Sequence, residues 1–163
     1  MRQKLKALKY SSQRVQDFLK ARGKALNVCQ LPSSTRTAKE AAETIGCSVA
    51  QIAKSLIFRD KHSEQHVLVV ASGTNRVCNK KIEAATGIHL DKADAEYVRD
   101  RTGFAIGGVP PVAHTSEPVT ILDPDLKKFD TIWAAAGTPN SVFQLTVDDL
   151  DELTNGRWID LAE

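Results

Sequence analysis

The stretch Ala53-Lys54-Ser55-Leu56-Ile57-Phe58-Arg59, followed after the polar residues Asp60 to Gln65 by His66-Val67-Leu68-Val69-Val70-Ala71-Ser72, decides the fold. The second run is apolar through its middle and reads as a buried strand. The turn between the runs is short enough for the two to pair antiparallel. Strand alternation puts Lys54 on the same face as Leu56 and Phe58, so one face of a buried-looking strand begins with an ammonium group. Two readings fit that position. One is a strand-end lysine that covers apolar surface with its stem and keeps its charge in water. The other is a fixed positive charge at the mouth of a pocket, suited to a phosphate, carboxylate or ester oxygen.

Elements can be read outward from this pair. On the N-terminal side, Ser11 or Ser12 is expected to cap a helix with Val15, Phe18 and Leu19 on one face and Gly23 as its stop. Leu26 to Leu31 alternates as a strand. Thr37, with Glu40 three residues on and Gly46 at the far end, has the capping-box pattern of a short helix. Ser48 caps a second short helix carrying Val49 and Ile52. On the C-terminal side, helices are expected over Asn79 to Thr86, within Asp91 to Arg101 (Ala95 and Val98 inward) and over Val147 to Leu153, opened by Thr146. Strands are expected over Val119 to Leu122, Thr131 to Ala136, Val142 to Leu145 and Arg157 to Leu161, with one helical turn at Pro124 to Phe129. The order predicts an α/β, mixed α+β fold: one domain over 11–163 with a twisted, mostly antiparallel sheet and short flanking helices. Residues 1–10 read as a flexible basic lead-in.

A second unusual stretch runs from Thr102 to His114 and contains Gly107-Gly108-Val109-Pro110-Pro111-Val112. Paired glycines allow close backbone approach, and the two prolines stiffen the loop while removing N–H donors. Such a loop is either a plain strand-ending turn or a rigid rim that presents backbone groups to a ligand.

Composition narrows the class. With 42% hydrophobic and 26% charged residues the chain is globular, and no apolar run is long enough to span a membrane. Three scattered cysteines (Cys29, Cys47, Cys78) fit a reducing, cytoplasmic setting. Net charge is +2 but uneven: Met1 to Lys24 holds eight Lys/Arg against one acid, the remainder fourteen against nineteen. That asymmetry suits a polyanion at one end, or else a solvated helix face. No CxxC, HExxH, GxSxG, Walker or GxGxxG pattern occurs, so neither metal nor cofactor is expected. Asp148, Asp149, Asp151 and Glu152 read as the solvated face of a late helix.

Taken together, four stretches resemble the YbaK/EbsC-type family, free-standing aminoacyl-tRNA deacylases related to the editing domain of bacterial prolyl-tRNA synthetases. They are Thr37 to Ala42, Gln51 to Phe58, Gly107 to Val112, and Ala134 to Asn140 with Leu145-Thr146 and Asp149-Leu150. The resemblance implies a partial-barrel sheet and a pocket for the aminoacyl-adenosine end of tRNA. It gives Lys54 the catalytic role, and gives Gly107, Gly108, Val109, Pro111 and Gly137 the lining of the amino-acid pocket. His114 either touches substrate or pins the loop. Ala113 stands where many relatives have glycine. Hydrolysis of an activated ester needs a positioned water and relief of charge on the oxyanion, for which preorganised N–H groups suffice. Arg14, Lys20, Arg22, Arg76, Lys80 and Lys81 form the expected tRNA contacts. Aminoacyl-tRNA, carrying a small amino acid on tRNA(Pro), is the expected substrate, and prolyl-tRNA synthetase a candidate partner. The alternative is a non-catalytic module that binds tRNA ends or a synthetase through the same pocket.

Overall fold

The computed structural model describes residues 9–163. The expected lead-in therefore lies outside the described residues, except that Lys9 caps and Tyr10 begins the first helix. Among the described residues, eight strands form one sheet: β1 (Val28–Gln30), β2 (Ile52–Asp60), β3 (His66–Ser72), β4 (Leu90–Lys92), β5 (Val119–Leu122), β6 (Ile132–Ala135), β7 (Ser141–Leu145) and β8 (Arg157–Trp158). Their spatial order is β1-β7-β6-β2-β3-β5-β8, with β4 also on β2. Five α-helices of the described residues flank it: α1 (Tyr10–Ala21), α2 (Ala38–Ile45), α3 (Asn79–Thr86), α4 (Ala95–Thr102) and α5 (Val147–Thr154).

The sheet grows from the β2–β3 hairpin, paired from Ala53↔Ser72 to Arg59↔His66. All of β3 is buried because both its faces are covered. Leu68 and Val70 join Val15, Leu19, Phe104, Phe143 and Leu150 on one side, whereas Val67, Val69 and Ala71 join Ile82, Leu90, Ile121 and Leu161 on the other. Four strand pairs are antiparallel; β2–β6, β3–β5 and β5–β8 are parallel.

Local chemistry sets the helix ends. Thr37 and Glu40 form a reciprocal capping box on α2, and Thr146 and Asp149 another on α5. Helix α1 departs from expectation. It starts a residue before Ser11, and neither serine caps it. Ser12 is buried and donates its hydroxyl to Ser141 Oγ at 2.9 Å. Ala95 is exposed, and Ala93 packs on the core in its place.

A histidine pair ties β3 to the glycine-proline loop. His66 Nε2 is 3.1 Å from His114 Nδ1, and His114 Nε2 is 2.7 Å from the Pro110 carbonyl. A carbonyl only accepts, so His114 carries its proton on Nε2 and receives a hydrogen bond from His66 Nε2–H. His66 Nδ1 is left as a buried lone pair without a partner among the described residues. Burial first, then the neighbouring His114 and Arg101 charges, depress the His66 pKa to about 4. Burial lowers that of His114 too, opposed by its bond to Pro110. The fold holds His66 neutral while the unfolded chain takes up a proton below about pH 6.5. Stability is therefore complete above that pH and falls as pH drops toward 4, by on the order of 3 kcal/mol for His66. Urea midpoints of the wild type at pH 7 and 4.5 should show this loss, and His66→Gln should flatten it.

Candidate functional site

Strand β2 is the origin of the site because its two ends pair with different strands along one edge. Strand β6 meets it at Ile52 and Ala53, and β4 meets it at Phe58 to Asp60. Between them, Lys54 to Ile57 carry a strand partner only on the β3 side. The sheet splays there, and a cleft of about 570 Å³ fills the gap. Every residue of β2 from Ile52 to Phe58 lines it, with Ala134 and Ala135 of β6 and Ala93 beside β4. Helix α2 contributes Ala38 and Ala41, and the loop after α4 contributes Ile106, Gly107 and Val109. The walls are mostly apolar, with six alanines among them, and give little competition to a few polar groups.

Lys54 is the principal polar group. It is half-buried, and among the described residues its ammonium has no hydrogen-bond or ion-pair partner. Its pKa lies below the usual lysine value, chiefly through burial and then through the Arg76 charge, with Asp123 acting in the opposite sense. Asp123 is itself buried; it accepts the Ser72 N–H and the Asn75 side-chain amide and so fixes the turn after β3.

The loop from Ala105 to His114 is held at close quarters. Gly108 N–H bonds the Ala105 carbonyl at 3.2 Å, and its own carbonyl receives the Gly137 N–H at 2.8 Å. A Cβ on Gly108 would stand 2.7–2.8 Å from the Thr138 backbone, and one on Gly137 2.7 Å from the Ser11 carbonyl oxygen. Both residues therefore serve backbone contact, and neither lines the main cleft. Behind them Ser141 Oγ bonds Ser12, Thr138 and the Ala136 carbonyl, a buried hydroxyl network that fixes the 136–141 turn. Gly107 and Val109 do line the cleft. Among the described residues no acceptor takes their N–H groups.

Pro111 and His114 line a separate, smaller cavity of about 280 Å³ together with Arg22. The hydrogen bonds of His114 show it pinning the loop. Ala113 holds φ = 67°, a left-handed conformation that costs an alanine roughly 1–2 kcal/mol. Ala113→Gly should therefore raise stability by up to about 1 kcal/mol, against the usual sign of an alanine-to-glycine change, read as a higher urea midpoint.

The expected tRNA contacts divide. Arg14 faces inward: its guanidinium donates to the Gly103 and Ala113 carbonyls, 3.0 Å each, and lies 4.5 Å from the Phe104 ring centre. It is a packing residue, because a helix face that looked solvated is covered by the 103–113 loop. Lys81 is tied to Asp160 and to the Ala162 carbonyl. Lys20, Arg22, Arg76 and Lys80 are exposed. Cleft residues that sequence reasoning passed over are Thr35, Arg36, Ser55 and Trp133. Ser55 Oγ is buried with no partner among the described residues, on the residue next to Lys54.

A family model for the aminoacyl-tRNA editing domain matches residues 32–153, a span that holds every residue of the cleft. The chain belongs to the aminoacyl-tRNA editing domain family. A solved structure described as a candidate trans-editing enzyme for prolyl tRNA synthetase is 45% identical with a TM-score of 0.90, covering 96% of this chain and 99% of that one. The solved structure of hypothetical protein APE2540 is 30% identical with a TM-score of 0.84, over 92% of this chain and 99% of that one. Uncharacterized protein YwhH of Bacillus subtilis (strain 168) is 38% identical over 138 residues, 84% of this chain and 87% of the relative. Within this editing-domain chain, Lys54, Gly107, Val109 and Arg36 belong to the matched span; Arg14, Lys20 and Arg22 lie before it.

Proposed function

We propose that this protein hydrolyses the ester of a mischarged aminoacyl-tRNA, acting in trans on a small amino acid carried by tRNA(Pro). The observation that carries the reading is Lys54, an ammonium without a partner among the described residues, inside a largely apolar cleft of an editing domain. A relative with 45% identity bears the description of a candidate trans-editing enzyme for prolyl tRNA synthetase, which supports the same class.

In this reading the 3′-terminal adenosine enters the gap along β2. Lys54 binds ribose or phosphate oxygens and orients the ester. Its charge is little screened in the cleft, so the attraction exceeds that of a surface lysine. The Gly107 and Val109 N–H groups take the carbonyl oxygen as it becomes an oxyanion; one such donor is typically worth about 3 kcal/mol. Gly108 is excluded from that task because its N–H is already bonded within the loop. Water is held in register by the cleft, with a substrate hydroxyl as the group that assists its attack. The walls of Ala38, Ala41, Ala93 and Ala135 would sort amino acids by size, at about 1–3 kcal/mol per methylene.

The test is a panel of labelled aminoacyl-tRNAs incubated with the protein. Release of a small amino acid from tRNA(Pro) well above the buffer rate is the expected result. Retention of tRNA with no ester cleaved would establish the binding-module alternative. Equal turnover of simple esters with no gain from tRNA would show a different esterase.

A further inference from the structure

Arg36 stands on the lip of the cleft, on a backbone anchored at both sides. The Thr35 N–H and hydroxyl both donate to the Pro139 carbonyl, and Thr37 caps α2. The Arg36 stem lies over the loop: a Cβ on Gly107 would be 3.5 Å from its Cγ and 3.9 Å from its Nε. The residue is exposed and lines the cleft, and among the described residues its guanidinium has neither a hydrogen-bond nor an ion-pair partner. A cation with a packed stem and an uncommitted head is already placed for a ligand, so less side-chain freedom is lost on binding.

The chemistry of the proposed substrate identifies the ligand. An aminoacyl ester has no free carboxylate, and its amino group is cationic. The anions near a charged 3′ end are therefore its phosphodiesters. We infer that Arg36 is a positioning residue that binds the phosphate on the 5′ side of the terminal adenosine. Lys54, deeper in the cleft, is then left to the ribose and ester oxygens. The inference rests on the deacylase reading for its substrate, and a direct binding measurement separates the two.

The experiment compares wild type, Arg36→Gln and Arg36→Lys on an aminoacyl-tRNA and on the same amino acid esterified to phosphate-free adenosine. With tRNA, Arg36→Gln should raise KM by about 10–100-fold and leave kcat within about threefold, the usual weight of one charge-assisted contact. Arg36→Lys should recover part of the loss, and the phosphate-free ester should be cleaved alike by all three. Binding of uncharged tRNA should show a salt slope shallower by roughly 0.7–1 for Arg36→Gln. An unchanged salt slope, or an equal loss on both esters, would overturn the phosphate contact. A wild type that binds tRNA with the expected slope difference but cleaves neither ester would overturn the deacylase reading and leave the contact standing.

Discussion

Lys54→Ala should lower kcat/KM for aminoacyl-tRNA hydrolysis by about 10²–10³-fold while leaving the fold intact. The loss comes from removing the half-buried charge of a largely apolar cleft; Arg36 remains at its exposed lip, over Gly107, and does not take the place of Lys54. Arg76 is near enough to lower the Lys54 pKa, yet it is exposed and outside the cleft lining, so it is not a substitute. Stability should move the other way. An ammonium held half-buried without a partner is a cost to folding, so the alanine variant should melt no lower than the wild type. Lys54→Arg keeps the charge but exchanges a compact ammonium for a wide planar fork, and should recover only part of the rate. The pH dependence gives a second check. The depressed pKa means Lys54 loses its proton earlier than a surface lysine as pH rises, so activity should decline on the alkaline side before ordinary lysines titrate. A Lys54→Ala enzyme that retained wild-type kcat/KM in the panel assay would remove this residue from the mechanism.

The legibility of the chain depends on the range of the interactions. Capping boxes act over three residues, so Thr37–Glu40 can be read directly and its helix lies where the pattern puts it. The β2–β3 hairpin closes through a short turn and is equally plain. The three parallel pairings are not assignable from the pattern, since each joins strands remote in sequence and depends on which apolar face covers which. The cleft itself arises from that long-range choice: β6 and β4 share one edge of β2 and leave its middle open. Lys54 is visible because a charge breaks an apolar run. Arg36 is not, because an arginine among serines and threonines ahead of a helix looks like any solvated cap. Arg14 misleads for the converse reason. Helical spacing puts it outside the Val15–Leu19 stripe, and only the arrival of the 103–113 loop covers it.

Gly108→Ala should destabilise the fold by about 3 kcal/mol and remove most of the activity, although the residue does not line the main cleft. The added methyl would meet Thr138 N, Cα and C at 2.7–2.8 Å, all backbone atoms of a turn held by the Ser141 hydroxyl network. No side-chain rotation relieves that contact. Either the 136–141 turn shifts, breaking the Gly137 N–H to Gly108 carbonyl bond, or the 105–111 loop lifts away. A lifted loop carries Gly107 and Val109 with it, and with them the proposed oxyanion donors. A displacement of about 1 Å suffices to cost on the order of 10²-fold in rate. Thermal melting should fall by roughly 6–12 °C for a chain of this size. Ser141→Ala supplies the comparison: it removes the partner of the buried Ser12 hydroxyl and of the Thr138 N–H, while the Thr138 hydroxyl keeps Asn140 Oδ1, and should cost about 1–3 kcal/mol, with a smaller effect on rate because no atom is forced into the loop. If Gly108→Ala melts with the wild type and retains its rate, the two loops are not locked together by backbone contact. The rigidity ascribed to the cleft rim would then have no source.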